Sequence, residues 1–384
     1  MSFVNLRVTA LWRPTPHMNK PSALWFRLKL QLPLLLRLGL LLLLVLALAL
    51  GAVFALRGCS FAVETVTSGG RLLEGADPQD SYLAFGEKLL RFDGQRLTCY
   101  NRNAEELWQY QAADGDGFVL SASDTRAALF SGSKLILLDE RGNAVYNGVL
   151  EGTIAQVRCG LQSTAVELEG SEQLLVLDRN GAQQDAIDLS GASLIDFGFY
   201  SNNDLLWTLL INVSGLAPSS RLDIYQPGKE LVSSYKSDTQ LYYKPLFYQD
   251  DVYIVGTEGL DLVAGKSTGS RSIFGWQYAG SAVSGGGMAV ALTLRDEGET
   301  PSMTRIFRGG SFSDMHLPAG CFYLLLGEEG LYAVGSQTLY RMPFDGGSME
   351  SYAFRYTVSQ VLCSFSGYMA LATTDGQVYL VKLP

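Results

Sequence analysis

The chain has 384 residues, 47% of them hydrophobic and only 17% charged, with a net charge of −9. That is ample apolar material for a sizeable core, in two or three domains or in one large all-β unit. Its 41 glycines and 37 tyrosines plus phenylalanines favour strands and tight turns.

Residues 1–37 contain Arg7, Arg13, Lys20, Arg27, Lys29 and Arg37, and no Asp or Glu. Met18 is a second plausible start, and the basic character survives it. From Leu38 to Leu56 there are nineteen residues without a charge. A helix needs about 20 apolar residues to cross the hydrocarbon layer, and it satisfies its backbone polar groups internally. A buried core helix would rarely lack a polar face over five turns. Positive residues flanking a span stay cytoplasmic. The sequence therefore predicts a cytoplasmic tail over 1–37, a single transmembrane helix over 38–57 and an extracytoplasmic domain over 58–384. A cleaved signal peptide is the first alternative, although its apolar region would be shorter. Lipidation of Cys59 is the second, since Leu56-Arg-Gly-Cys59 approaches a bacterial lipobox but places Arg57 where that motif has a small or apolar residue.

Beyond residue 58 the charge reverses. Residues 59–384 carry −16, from 22 basic against 38 acidic side chains. That excludes nucleic-acid or polyanion binding through bulk electrostatics.

The outer segment repeats. A short apolar strand followed by a polar turn recurs at Asn101, Asp139, Asp178, Gln226, Ala264, Arg308, Pro343 and Lys382. The spacings are 38, 39, 48, 38, 44, 35 and 39 residues. A period near 40 with several strands per unit marks a β-propeller blade. In the first unit strands A to D fall at Ser81–Phe85, Lys88–Phe92, Arg96–Tyr100 and Leu107–Tyr110. In the last, Ser359–Phe365, Tyr368–Thr373 and Val378–Val381 leave strand D missing. The β-rich run Phe61–Val66 is the expected replacement. The fold class predicted is all-β, a propeller of eight blades with seven as the alternative, preceded by one transmembrane α-helix.

The Glu106-Leu-Trp-Gln-Tyr110 ending of the first unit and the run Leu174-Leu-Val-Leu-Asp-Arg-Asn-Gly181 resemble the pyrroloquinoline-quinone-like propeller repeat. The whole arrangement of basic tail, anchor helix and outer propeller is similar to an uncharacterised bacterial membrane-anchored family known as a domain of unknown function. The resemblance implies a propeller over about 60–384. Quinone-dependent dehydrogenases use an adjacent cysteine pair beside the cofactor, and no such pair occurs here.

The search for chemistry is otherwise sparse. His316 is the sole outer histidine, so a His-rich metal site is excluded. Cys99, Cys159, Cys321 and Cys363 fall on separate apolar strands and read as small core residues. Asp114-Gly-Asp116-Gly117 lacks the remaining ligands of a calcium loop and reads as an inter-blade turn. Gly265-Lys-Ser267 lacks the earlier glycine of a phosphate loop. Trp108, Trp207 and Trp276 read as blade packing rather than a stacking platform. No cofactor is expected. Two units exceed the period, and their extra residues map to the loops joining strands B and C, at 212–220 and 295–302. Ala217 and Pro218 in the first, and Asp296, Glu297 and Glu299 in the second, are the candidate binding residues, because insertions and binding residues concentrate on surface loops. The expected function is a membrane-anchored binding or scaffold module for an extracytoplasmic or cell-envelope protein. The alternative is a carbohydrate- or quinone-linked enzyme working in the propeller channel.

Overall fold

The computed structural model describes residues 63–65, 70–112, 117–200, 205–215, 217–265, 267–285, 287–298 and 300–384. The expected tail, membrane helix and Cys59 lie outside these residues, as do Asp114, Asp116, Lys266 and Glu299. No helix among the described residues is long and apolar enough to cross a membrane.

The described strands form eight sheets, antiparallel within each blade and numbered here as blades in chain order. The chain begins with β1 (Val63–Thr65) and β2 (Arg71–Leu72). Blade one is β3 (Ser81–Phe85), β4 (Lys88–Phe92), β5 (Arg96–Tyr100) and β6 (Glu106–Gln111). Blade two is β7 (Val119–Ala122), β8 (Ala127–Ser131), β9 (Lys134–Leu138) and β10 (Ala144–Val149). Blade three is β11 (Ile154–Cys159), β12 (Thr164–Leu168), β13 (Gln173–Leu177) and β14 (Gln183–Asp188). Blade four is β15 (Ser193–Phe199), β16 (Leu206–Asn212), β17 (Ser219–Tyr225) and β18 (Leu231–Ser237). Blade five is β19 (Tyr242–Tyr248), β20 (Asp251–Gly256), β21 (Gly259–Ala264) and β22 (Ser267–Ser272). Blade six is β23 (Trp276–Ser284), β24 (Gly287–Leu294), β25 (Met303–Arg308) and β26 (Ser311–His316). Blade seven is β27 (Cys321–Leu326), β28 (Gly330–Gly335), β29 (Thr338–Pro343) and β30 (Glu350–Ala353). Blade eight is β31 (Val358–Phe365), β32 (Tyr368–Thr373) and β33 (Val378–Lys382), completed by β2.

The core is distributed. Eight buried clusters lie between successive blades, so that each sheet has both faces covered. One joins blades one and two through Leu90, Leu97 and Phe85 to Leu129 and Ile136. Another joins blade eight back to blade one, setting Ala370, Val378 and Leu380 against Tyr82, Leu89 and Tyr100. This explains why the middle strands read as continuous apolar runs rather than alternating ones. β9, for example, buries Leu135, Ile136, Leu137 and Leu138 together. Outer strands keep alternation or lose it to solvent, as in the fully exposed β22.

Ring closure differs from the expectation. The strand that completes blade eight is β2, not the run around 61–66. Arg71 pairs with Leu380 and Leu72 with Tyr379, antiparallel to β33. Val63–Thr65 instead runs parallel to β30 and adds a fifth strand to the rim of blade seven. The physical reason lies one residue further on. Leu73 is only 2% exposed, sits in the cluster between blades eight and one, and donates its N–H to Val378 O at 2.9 Å. Gly70 passes so close that an added Cβ would lie 2.7 Å from Val381 Cγ2, which keeps side chains out of the approach.

The turns between the last two strands repeat a local device. Asp139 Oδ1 accepts from the N–H groups of Arg141 and Asn143, and Asp178 Oδ1 from those of Asn180 and Ala182. Asn101 Oδ1 does the same for Asn103 and Glu105. Asx side chains capping their own turn explain why the repeat announces itself there.

Candidate binding face and channel

Because each blade is an up-and-down meander, all B–C loops and D–A connections emerge on one face, and all A–B and C–D turns on the other. The first face carries both expected loops. Ala217 and Pro218 lie exposed between β16 and β17, and Asp296 lies exposed between β24 and β25. Glu297 is half-buried and has a different task. Its carboxylate accepts from Ser302 N at 3.0 Å and from Ser302 Oγ, closing the base of the loop. Those bonds, the hydroxyl first, hold the carboxyl below the usual carboxylate range. The loop over 295–302 falls where expected. In blade four the excess is shared, since β16 and β17 each run seven residues and leave only 213–218 as loop.

Sequence reasoning missed the most exposed large apolar side chain among the described residues of this face. Ile273-Phe-Gly-Trp276 makes a tight turn between blades five and six, with Trp276 N donating to Ile273 O at 2.8 Å. Ile273 and Trp276 are buried and anchor the turn at both ends. Gly275, with φ of +82°, occupies the position where a type II turn demands a left-handed residue. Phe274 is thereby held at the tip, 73% exposed. Arg295 braces it, because its N–H donates to Gly275 O at 2.9 Å and its Nη2 to Thr257 O at 2.8 Å. Val213, in the blade-four loop, is 70% exposed on the same face.

The channel end on the opposite face holds the charged groups. A cavity of about 360 Å³ opens among the inner strands of blades two to five. Arg158 Nη2 reaches Asp196 Oδ1 at 3.3 Å, and Lys244 lines the same cavity with no partner among the described residues. Trp207 forms part of the wall. It lies so near Gly198 that a Cβ there would come within 2.9 Å of the ring. Burial first, and the Asp196 carboxylate second, push the Glu167 carboxyl above its ordinary range.

The remaining candidates are structural. Trp108 on β6 donates its indole N–H to Glu140 O at 3.1 Å and lies across Gly142 of the next blade. Tyr146 lies across Gly181 in the same way, and Gln184 across Gly228. Trp276 sits beneath the Arg305 guanidinium, 4.3 Å away. Cys99 and Cys159 are buried, and that burial pushes both thiols up to about 12. His316 lies on the outer strand β26. Among the described residues no group of three or more His, Cys, Asp or Glu converges as a metal centre requires.

No protein-family model and no curated protein matches the chain. Solved structures do. BamB from Moraxella catarrhalis is similar with a TM-score of 0.52 at 13% identity, over 79% of this chain and 96% of that one. The C-terminal WD40 domain of Sif2 gives 0.54 at 8% identity, over 82% and 99%. The dihydro-heme d1 dehydrogenase NirN gives 0.52 at 11% identity, over 84% and 75%. At such identities the likeness shows the propeller fold and nothing finer, since one fold hosts unrelated activities.

Proposed function

We propose that the chain is a membrane-anchored, extracytoplasmic binding module whose protein partner docks on the face of B–C loops and D–A connections. The observation that carries this is Phe274. A phenylalanine held at the tip of a glycine turn, with buried anchors on both sides and Arg295 bracing it, is pre-organised for contact and costs little entropy to bury. Val213, Ala217 and Pro218 add neutral contact surface, and Asp296 adds negative charge, so a partner with an apolar spot and a basic or polar rim is complementary. The uncharged run 38–56 and the basic residues before it support a single span with the N-terminus cytoplasmic and the propeller outside. The net charge of −16 beyond residue 58 argues against nucleic acid as partner.

Photo-crosslinking from position 274 in cells tests the docking face, with position 107 on the outer rim as control. An adduct of discrete mass from 274 alone is expected. Equal adducts from both positions, or none from 274, would refute the assignment. Protease added to sealed right-side-out vesicles tests the topology, and protection of the propeller would reject it.

A second reading, carbohydrate-linked chemistry in the channel, is favoured by Glu167. A carboxyl raised by burial first and by the neighbouring Asp196 carboxylate second is the kind of group that serves as a general acid. It predicts saturable binding of a sugar that Glu167→Gln leaves intact while turnover is lost.

A further inference from the structure

In the first three blades the outermost strand seals the seam to the next blade by reaching its C–D turn. Trp108 of blade one stands opposite Cys99 in the strand register and lies across Gly142 of blade two. Tyr146 of blade two holds the same register position, opposite Leu137, and lies across Gly181 of blade three. Asp185 holds it in blade three, opposite Val176, and accepts from Gly228 N of blade four at 3.0 Å. In blade four the position falls to Ser233, opposite Ile224. A serine does not reach the next turn, and an added Cβ on Gly265 would meet no described atom of blade four within 4 Å. Blade five does not fill the gap either, because its outermost strand, β22, reads Ser-Thr-Gly-Ser-Arg-Ser and is exposed throughout.

A crevice of about 450 Å³ is left at this seam, a volume in the range of small-molecule sites. One wall carries Tyr235, half-buried and packed on the cluster of Trp207 and Leu222. The other carries Asp261, Thr268 and Ser270 of blade five. Asp261 Oδ2 accepts from Tyr242 Oη at 2.7 Å and from Gln240 Nε2 at 2.9 Å, which fixes the carboxylate and leaves Oδ1 without a donor among the described residues. The hydroxyls of Tyr235, Thr268 and Ser270 likewise have no partner among the described residues. The other polar groups at the seam are engaged: Ser234 Oγ donates to Asp223 Oδ1 at 2.6 Å, and Lys236 pairs with Asp238 at 2.9 Å.

These groups exclude ligand classes in turn. No uncommitted cation among the described residues faces the crevice, so an anion gains nothing there in a segment that carries −16. A single carboxylate supplies too few ligands for a calcium or magnesium ion. A wholly apolar ligand would leave the carboxylate and the hydroxyls unpaired. A neutral polyol satisfies all of them, because each of its hydroxyls can donate to Asp261 and can accept from Thr268 or Ser270. The C–H face of a pyranose ring supplies the apolar surface that the Tyr235 ring lacks.

We propose that the seam between blades four and five binds a neutral saccharide, with Tyr235 as its platform and Asp261, Thr268 and Ser270 as its hydrogen-bonding wall. The site lies at the outer rim, apart from the Phe274 face and from the channel, and depends on neither reading.

The test is saturation-transfer NMR on the full chain, in a detergent without a sugar headgroup, with maltose, cellobiose and diacetylchitobiose as probes. Saturable transfer to the ring C–H protons of at least one probe is expected. Ser233→Trp, which gives blade four the side chain that seals blade one, should abolish that transfer. The double variant Thr268→Ala, Ser270→Ala should bind at least about tenfold more weakly with an unchanged melting temperature, since both side chains are exposed. Absence of saturable transfer to every probe overturns the proposal. Undiminished binding by Ser233→Trp or by the double variant also overturns it, because the sugar would then sit elsewhere on the molecule.

Discussion

Truncating Leu73 to alanine should cost far more than breaking the β1 ladder, although β1 is the longer of the two N-terminal strands. Leu73 is buried among Tyr82, Leu89 and Tyr100 of blade one and Phe365, Ala370, Val378 and Leu380 of blade eight. A Leu→Ala change at such a site costs ~2–5 kcal/mol, from lost transfer energy plus the cavity left behind. With an unfolding entropy of ~2 cal/mol/K per residue over the propeller, that is a fall in melting temperature of ~3–7 °C. The β1 ladder pairs three residues with the outer strand of blade seven. Each net hydrogen bond there contributes ~1 kcal/mol, and fixing each residue's backbone costs ~1–2 kcal/mol, so the two nearly cancel. Glu64→Pro, which removes a ladder donor or kinks the strand, should therefore shift the melting temperature by less than about 1 °C. Thermal unfolding of the full chain followed by tryptophan fluorescence reads both variants. An equal loss in Glu64→Pro, or none in Leu73→Ala, would show that β1 rather than Leu73 holds the ring shut.

Other expectations can be checked on the same material. Gly142→Ala forces a side chain into a backbone with φ of +82° and against the Trp108 indole, so it should destabilise by a few kcal/mol. Trp108→Ala should recover part of that loss, and strict additivity in the double-mutant cycle would deny the contact. Burial opposes ionisation of Asp139, but the Asn143 and Arg141 hydrogen bonds outweigh it and hold its carboxyl below the ordinary value. Its folded pKa being depressed, its stabilising contribution is complete above the ordinary carboxylate pKa of about 4 and is lost as pH falls through the lower folded value. Asp139→Asn should flatten the acid limb of the stability curve, and an unchanged limb would contradict this. In a Cys59→Ser background, Cys99 and Cys159 should resist alkylation at pH 8 until the propeller is unfolded, because burial holds both thiols up to about 12. Mass spectrometry that finds either modified in the native state would overturn that reading.

The blades were legible because their punctuation is chemical. Asp139, Asp178 and Asn101 cap the same turn in three units, and the middle strands between are unbroken apolar runs. The closing strand was misplaced because Val63-Glu-Thr65 has the stronger strand composition, whereas closure depends on burial of Leu73 in a cleft formed by residues far away in the chain. The loop over 295–302 was readable as plain excess length. Phe274 was not, although Ile-Phe-Gly-Trp carries a signal: an apolar residue before a turn glycine, between two residues that a core would claim.

Closure through Leu73 also dictates an order of events during biosynthesis. Its N–H partner, Val378, is about 300 residues downstream, so at about 5–20 residues per second the ribosome needs roughly 15–60 s to deliver it. Throughout that interval blade one has assembled all four of its strands, yet Tyr82 and Leu89 face no neighbour on the seam side. The nascent propeller is an arc with one sticky end, and it offers Leu73, Tyr82 and Leu89 to whatever reaches them first. A second nascent copy could donate its own blade eight to that end. Slowed translation of the last blade should therefore raise the yield of strand-swapped dimers, and overexpression should do so more steeply than in proportion to the chain made.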